Sequence, residues 1–210
     1  MPHARNPLSE PCAYYVLLES SDAEGEAHAV SAFETLMSDA FEAELVTDAA
    51  IASSLAQSKA FWHIRHYLPE AQAFDGENVK HDISLPISGI AAFIEAGREA
   101  VHKVLPNARI FVFGHLGDGN LHYNVSAPEG ASEAEYRAMR GNEKAISSAI
   151  YDVVAQAGGS ISAEHGVGQL RVHSIARYKS AQEMNMMRQI KRVFDPDNLF
   201  NPGRVVTPEA

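Results

Sequence analysis

Apolar and polar side chains alternate along residues 79–85 (VKHDISL), the period of a strand with one buried face. Residues 109–114 (RIFVFG) form a strongly apolar run and residues 121–125 a second one. The short connection between these two predicts an antiparallel pair. Residues 14–19 (YYVLLE) are rich in aromatic and β-branched side chains and read as a further strand. Helical periods fill the rest. A Ser21-x-x-Glu24 capping box predicts a helix through about Phe41, and residues 52–68 a second helix. Pro86 suits a first helical turn, with Ile87, Ile90, Ile94, Val101 and Val104 on one face. Ser132-x-x-Glu135 opens a long helix striped by Tyr136, Met139, Ile146, Ile150 and Val153, which Gly158-Gly159 stops. Ser180-x-x-Glu183 caps a last helix with Met184, Met187, Ile190 and Phe194 inward, and Pro196 ends it. Helices interleaved with a partly antiparallel sheet make an α+β protein.

Residues 1–12 carry Pro2, Pro7 and Pro11 and read as an extended leader or linker, leaving residues 13–210 as one domain. With 46% hydrophobic and 21% charged residues, the 210-residue chain has the composition of a globular protein. No apolar run approaches the ~18 residues that span a bilayer, so no membrane span is expected. The start has no signal-peptide core, which gives a cytoplasmic, reducing compartment as the expectation. Seventeen Lys and Arg against 27 Asp and Glu leave a net charge of −10, which disfavours nucleic acid as a partner. One cysteine, Cys12, excludes an intrachain disulfide framework, whereas ten histidines direct attention to metal or proton chemistry.

The densest chemistry lies in Gly114-His115-Leu116-Gly117-Asp118-Gly119-Asn120-Leu121-His122. Asp-Gly between apolar runs signals a hairpin. A two-residue Asp118-Gly119 turn would set His115 opposite His122, with Cβ atoms ~4.5–5.5 Å apart, close enough to share a metal. Asn124 would project from the same face. A solvent-facing hairpin with two incidental histidines is the alternative. In Ser162-Ala163-Glu164-His165-Gly166-Val167-Gly168, Glu164 could complete a His-His-Glu ligand set and His165 could act as a general base. Arg65 and Lys80 are candidate cations for an anionic ligand, although either could be an ordinary solvated charge. His63 and His66 share a helix face but lack a third ligand. The sequence contains no phosphate-binding loop, dinucleotide fingerprint or nucleophile elbow.

Together, Gly114-His115-x-Gly117-Asp118-Gly119-Asn120-x-His122, Lys80-x-Asp82-x-Ser84-Leu85-Pro86, Glu164-His165-Gly166-x-Gly168, Phe194-Asp195-Pro196 and Asn201-Pro202-Gly203 resemble the C-terminal domain of the FAD-linked oxidases. That family includes D-lactate dehydrogenases, glycolate oxidase and D-2-hydroxyglutarate dehydrogenase, and the motifs are most similar to the hydroxyglutarate type. The resemblance implies a mostly antiparallel sheet covered by helices, of ferredoxin-like type. It implies a divalent metal, zinc first, on His115, His122 and Glu164, with His165 removing the hydroxyl proton of a small anionic D-2-hydroxy acid. Arg65 and Lys80 would hold the substrate carboxylate. Asn124 would meet a distal polar group, which favours a dicarboxylic acid such as D-2-hydroxyglutarate or D-malate. Asn201 would lie near the flavin. FAD itself would be bound mainly by an N-terminal domain or subunit absent from these 210 residues, with a further electron acceptor beyond it; a homodimer is compatible with this picture. A non-catalytic module binding metal or hydroxy acid, and a metal-dependent hydrolase, are the competing readings.

Overall fold

Strand β4 (Asn120–Ser126) is the centre of the only sheet among the described residues, and its neighbours position everything that follows. The computed structural model of the protein describes residues 5–207. On one side of β4 lies β3 (Arg109–His115), antiparallel, from Arg109↔Ser126 to His115↔Asn120. On the other side lie β1 (Asn78–Val79) and β2 (Asp82–Ser84). They keep one register, with Val79 opposite Val125 and Asp82 opposite His122, so residues 78–84 act as one interrupted strand. The interruption is at His81, whose N–H is donated to the side-chain Oδ1 of Asn124 (3.2 Å) instead of a strand carbonyl. Ser84 pairs outward with Ser160 through two backbone hydrogen bonds of 3.0 and 2.8 Å.

Helices α4 (Ile90–Val104) and α6 (Glu143–Gln156) pack together and cover one sheet face. Ile90, Phe93, Ile94 and Val101 of α4 meet Ile146, Ile150 and Val154 of α6 over Ile83, Leu121, Tyr123 and Val125. Gly97 makes room for the Tyr123 hydroxyl, which a Cβ there would approach to 2.9 Å. The remaining helices of this region are α5 (Glu133–Gly141), α7 (Val172–Tyr178) and α8 (Ala181–Phe194). Two of the three predicted capping boxes form, at Ser132–Glu135 and Ser180–Glu183. The long helix expected after Ser132 is two, because Asn142 turns its amide onto Ala138 O (2.8 Å) and leaves helical geometry at φ −101° and ψ 4°. Helix α7 was not anticipated; it buries only Val172 and Ile175, too little for a visible period.

The chain divides into two compact units after Asp75. The first contains helices α1 (Glu26–Glu42), α2 (Leu55–His66) and α3 (Leu68–Asp75). Among its described residues only Gln72 is buried. Three expectations fail here. Residues 14–19 are not a strand: no neighbouring strand takes up their backbone groups, and Tyr14 and Val16 stay more than 60% exposed. The Ser21-x-x-Glu24 capping box does not form either. Asp22 takes the Glu24 N–H and the His28 ring nitrogen, both at 2.6 Å, and the helix starts after Gly25. The helix expected over residues 52–68 breaks at Tyr67 into α2 and α3. Among the described residues no helix is long and apolar enough to cross a membrane.

Candidate metal and acid–base site

The alternation of β4 sends Leu121, Tyr123 and Val125 into the core and turns Asn120, His122 and Asn124 to the opposite face. The shared register adds Asp82 and Ser84 to that face. Lys80, flanked by the Val79↔Val125 and Asp82↔His122 pairs, stands there too, across from Asn124, and is exposed.

The second half of the site arrives on the loop after Ser160. Its turn is wrapped around one carboxylate: the backbone N–H groups of Ala163, Glu164 and His165 donate to Asp82 Oδ2 at 3.3, 3.1 and 2.8 Å. Asp82 Oδ1 accepts from Asn120 Nδ2 at 3.0 Å. Burial opposes the Asp82 charge, but these donors and the neighbouring His165 outweigh it and hold the carboxyl below its ordinary range. Gly166, at φ +74°, then lets the chain turn away.

This wrapping brings three side chains to one point. His122 Nε2 lies 3.0 Å from Glu164 Oε1, and His165 Nε2 lies 3.6 Å from the same oxygen. The two imidazole rings stack at 5.4 Å and 24°, and Phe113 packs 5.0 Å from His122. His165 Nδ1 faces Asp82 Oδ2 at 3.6 Å. Asp82, His122, Glu164 and His165 each present a ligand-type atom within 4.8 Å of the others. Ligands on ~2.0–2.1 Å bonds at tetrahedral angles stand about 3.4 Å apart, so the 3.0 Å spacing and donor chemistry of His122 and Glu164 fit two ligands of one divalent ion, with His165 beside it. Asn120 Oδ1, buried next to this group, has no hydrogen-bond partner in the structure, which also suits a site completed by something else.

The hairpin register differs from the expected one. Leu116–Asp118 form a 3₁₀ turn, only Gly119 is left-handed (φ 75°), and the Asp118 carboxylate takes the Asn120 N–H at 3.1 Å. The loop is therefore longer than two residues. His115 faces Asn120, and Phe113 instead of His115 faces His122. The slip is two residues, so His115 keeps the face of His122, but it is exposed and lies outside the group of four. Asn124 is on the site face but buried, with its Oδ1 accepting from the His81 N–H. Asn201 sits in the turn beyond α8 at φ 47°, its carbonyl accepting from Arg204 N–H. Arg65 is a half-buried residue of α2, in the first unit.

Asp82 stands in the Lys80–Pro86 motif without an assigned role, and His81 was not singled out from the sequence. The alternation of residues 79–85 was visible, but the register that sets Asp82 opposite His122 was not. His81 points into the core, where Nδ1 donates to Tyr123 O (2.8 Å) and Nε2 accepts from Ser147 Oγ (3.0 Å). Its burial lowers the pKa to about 4, so it is neutral and structural near pH 7.

A model of the family described as FAD linked oxidases, C-terminal domain, matches residues 1–205. The chain belongs to that family. Relatives of this FAD linked oxidase C-terminal domain include a D-2-hydroxyglutarate dehydrogenase of Xanthomonas citri pv. viticola, 37% identical over 96% of the chain and 42% of the relative. A mitochondrial D-2-hydroxyglutarate dehydrogenase of Arabidopsis thaliana is 34% identical over 96% of the chain and 34% of its own length. A Schizosaccharomyces pombe protein with D-lactate dehydrogenase in its name is 29% identical over 96% of the chain and 38% of that protein. The chain thus spans less than half the length of these relatives, along 96% of its own sequence.

Proposed function

We propose that this FAD linked oxidase C-terminal domain binds a D-2-hydroxy acid and a divalent metal ion for oxidation of the acid to a 2-oxo acid. The observation that carries the reading is the convergence of His122, Glu164 and His165 on the sheet face that also bears Lys80. A divalent ion held by His122 and Glu164, with His115 from the adjoining strand end, would lower the pKa of the substrate hydroxyl and fix its orientation; zinc is the first candidate. FAD would accept the hydride leaving Cα. His165 removes the hydroxyl proton. Its Nδ1 faces the Asp82 carboxylate, which favours a proton there and leaves Nε2 as the basic nitrogen. Lys80 holds the substrate carboxylate by charge, and Arg65 is assigned as a second cation for the substrate on its family match. Asn124 is assigned to the distal polar group of a dicarboxylic acid such as D-2-hydroxyglutarate or D-malate, and Asn201 to the vicinity of the flavin, on the same ground. The hydroxyglutarate names of several relatives support the dicarboxylic choice.

The test uses the chain joined to an FAD-binding domain and loaded with flavin and Zn²⁺. D-2-hydroxyglutarate, D-malate and D-lactate are each added and loss of the oxidised flavin's absorbance is followed. Reduction is expected, fastest with a dicarboxylic acid. His165→Asn is expected to slow it by about 10²–10⁴-fold with metal content unchanged. No reduction by any of the three acids would overturn the proposed function, and an undiminished rate in His165→Asn would remove that residue as the base.

A further inference from the structure

We infer that Asp82 is the positioning residue of this site, a buried clamp that sets Glu164 and His165 against His122 without itself serving as a ligand. Its side chain is 2% exposed, yet it lies within reach of every member of the group of four. Both its oxygens are already engaged: Oδ2 by three consecutive N–H groups and Oδ1 by the Asn120 amide. A carboxylate accepting four hydrogen bonds has little remaining capacity for a cation, and moving it would strand three backbone donors in a loop with no sheet or helix of its own.

The geometry explains what the clamp achieves. The three donors belong to successive residues, so one fixed point determines the direction of the whole Ala163–Glu164–His165 turn. The fixed point belongs to β2, directly opposite His122 on β4. The position of Glu164 Oε1 relative to His122 Nε2 is thereby tied to a strand register instead of to a loop. Asn120, two residues from His122 on the same face, locks the carboxylate's second oxygen and so its rotation. Groups of this kind, one bond removed from the ligands, typically cost ~10–100-fold in metal affinity when removed.

The consequence for metal rests on the function proposed above, but the clamp can be read without any metal. In the metal-free native chain, backbone amide exchange at Glu164 and His165 should be slowed at least about tenfold relative to unstructured peptide. Exchange at unstructured rates would overturn the inference, and this measurement needs no variant to fold. In Asp82→Asn, that protection should fall to unstructured rates while the core amides of Val125 and Ile150 keep theirs. Zn²⁺ affinity should drop by ~10–100-fold in the variant, measured at a temperature where it remains folded. A folded Asp82→Asn chain with native protection at residues 164–165 and native Zn²⁺ affinity would refute the clamp. Protected amides in a native chain that takes up no Zn²⁺ would support the clamp and refute the proposed metal site instead.

Discussion

On one face of β4, Leu121, Tyr123 and Val125 are at most 5% exposed; on the other, Asn120 and Asn124 are buried almost as deeply, at 5% and 4%. The two faces reach similar burial by different physics. The first packs Tyr123 edge-on against Phe93, with ring centroids 5.3 Å apart, beneath α4 and α6. Its stabilisation comes from apolar area removed from water. The second face has to satisfy polar groups, because an unpaired buried amide or carboxylate costs more than a hydrogen bond returns. Asn120 Oδ1 excepted, it does so through Asn120 to Asp82, Asp82 to the 163–165 turn and His81 N–H to Asn124. The difference teaches that the hydrophobic side of the strand supplies rigidity, and the polar side uses it to hold groups at fixed separations.

Substitutions can break each half of that comparison separately. The largest loss of stability is expected from Tyr123→Ala, about 3–5 kcal/mol in urea unfolding, because it empties a fully buried aromatic position. A loss near zero would mean that the core face is not the source of rigidity. The next effect is set by pH. His81 has a folded pKa of about 4 against an ordinary value of 6.5, so the folded state favours the neutral ring. Its contribution is fully present above pH ~6.5 and is lost as pH falls towards 4, amounting to roughly 3 kcal/mol. His81→Gln should flatten the stability–pH curve across that window; an unaltered slope would show that His81 is not buried neutral. Asp82 acts in the same direction but lower. Its folded pKa is depressed, so its contribution is lost only as pH falls below the ordinary carboxylate range.

The sequence made the frame of this arrangement legible where a local rule dominates. Period-2 alternation marked residues 79–85, and two of three Ser-x-x-Glu boxes cap helices. The third fails because Asp22 competes for the same backbone groups. Residues 14–19 show the limit of strand propensity, since an extended apolar run becomes a strand only where an edge accepts it. Of the chemistry, His122, Glu164 and His165 were identified by residue type and spacing, and the structure brings these three together. The turn geometry was misjudged by two residues, because the Asp118 side chain, and not the backbone alone, closes the loop. Asp82 was visible as a motif position, but its role was not. A carboxylate whose partners are three amides 81 or more positions away leaves no local trace.

The central claim is that the polar face of β4 and the 163–165 turn build a metal site. Its most direct test is the metal content of the purified chain and of His122→Ala after identical exposure to Zn²⁺ and removal of excess. The native chain should retain about one ion and the folded variant essentially none, since His122 supplies the ligand atom 3.0 Å from Glu164. Equal retention by both proteins, or none by the native chain, would contradict the account.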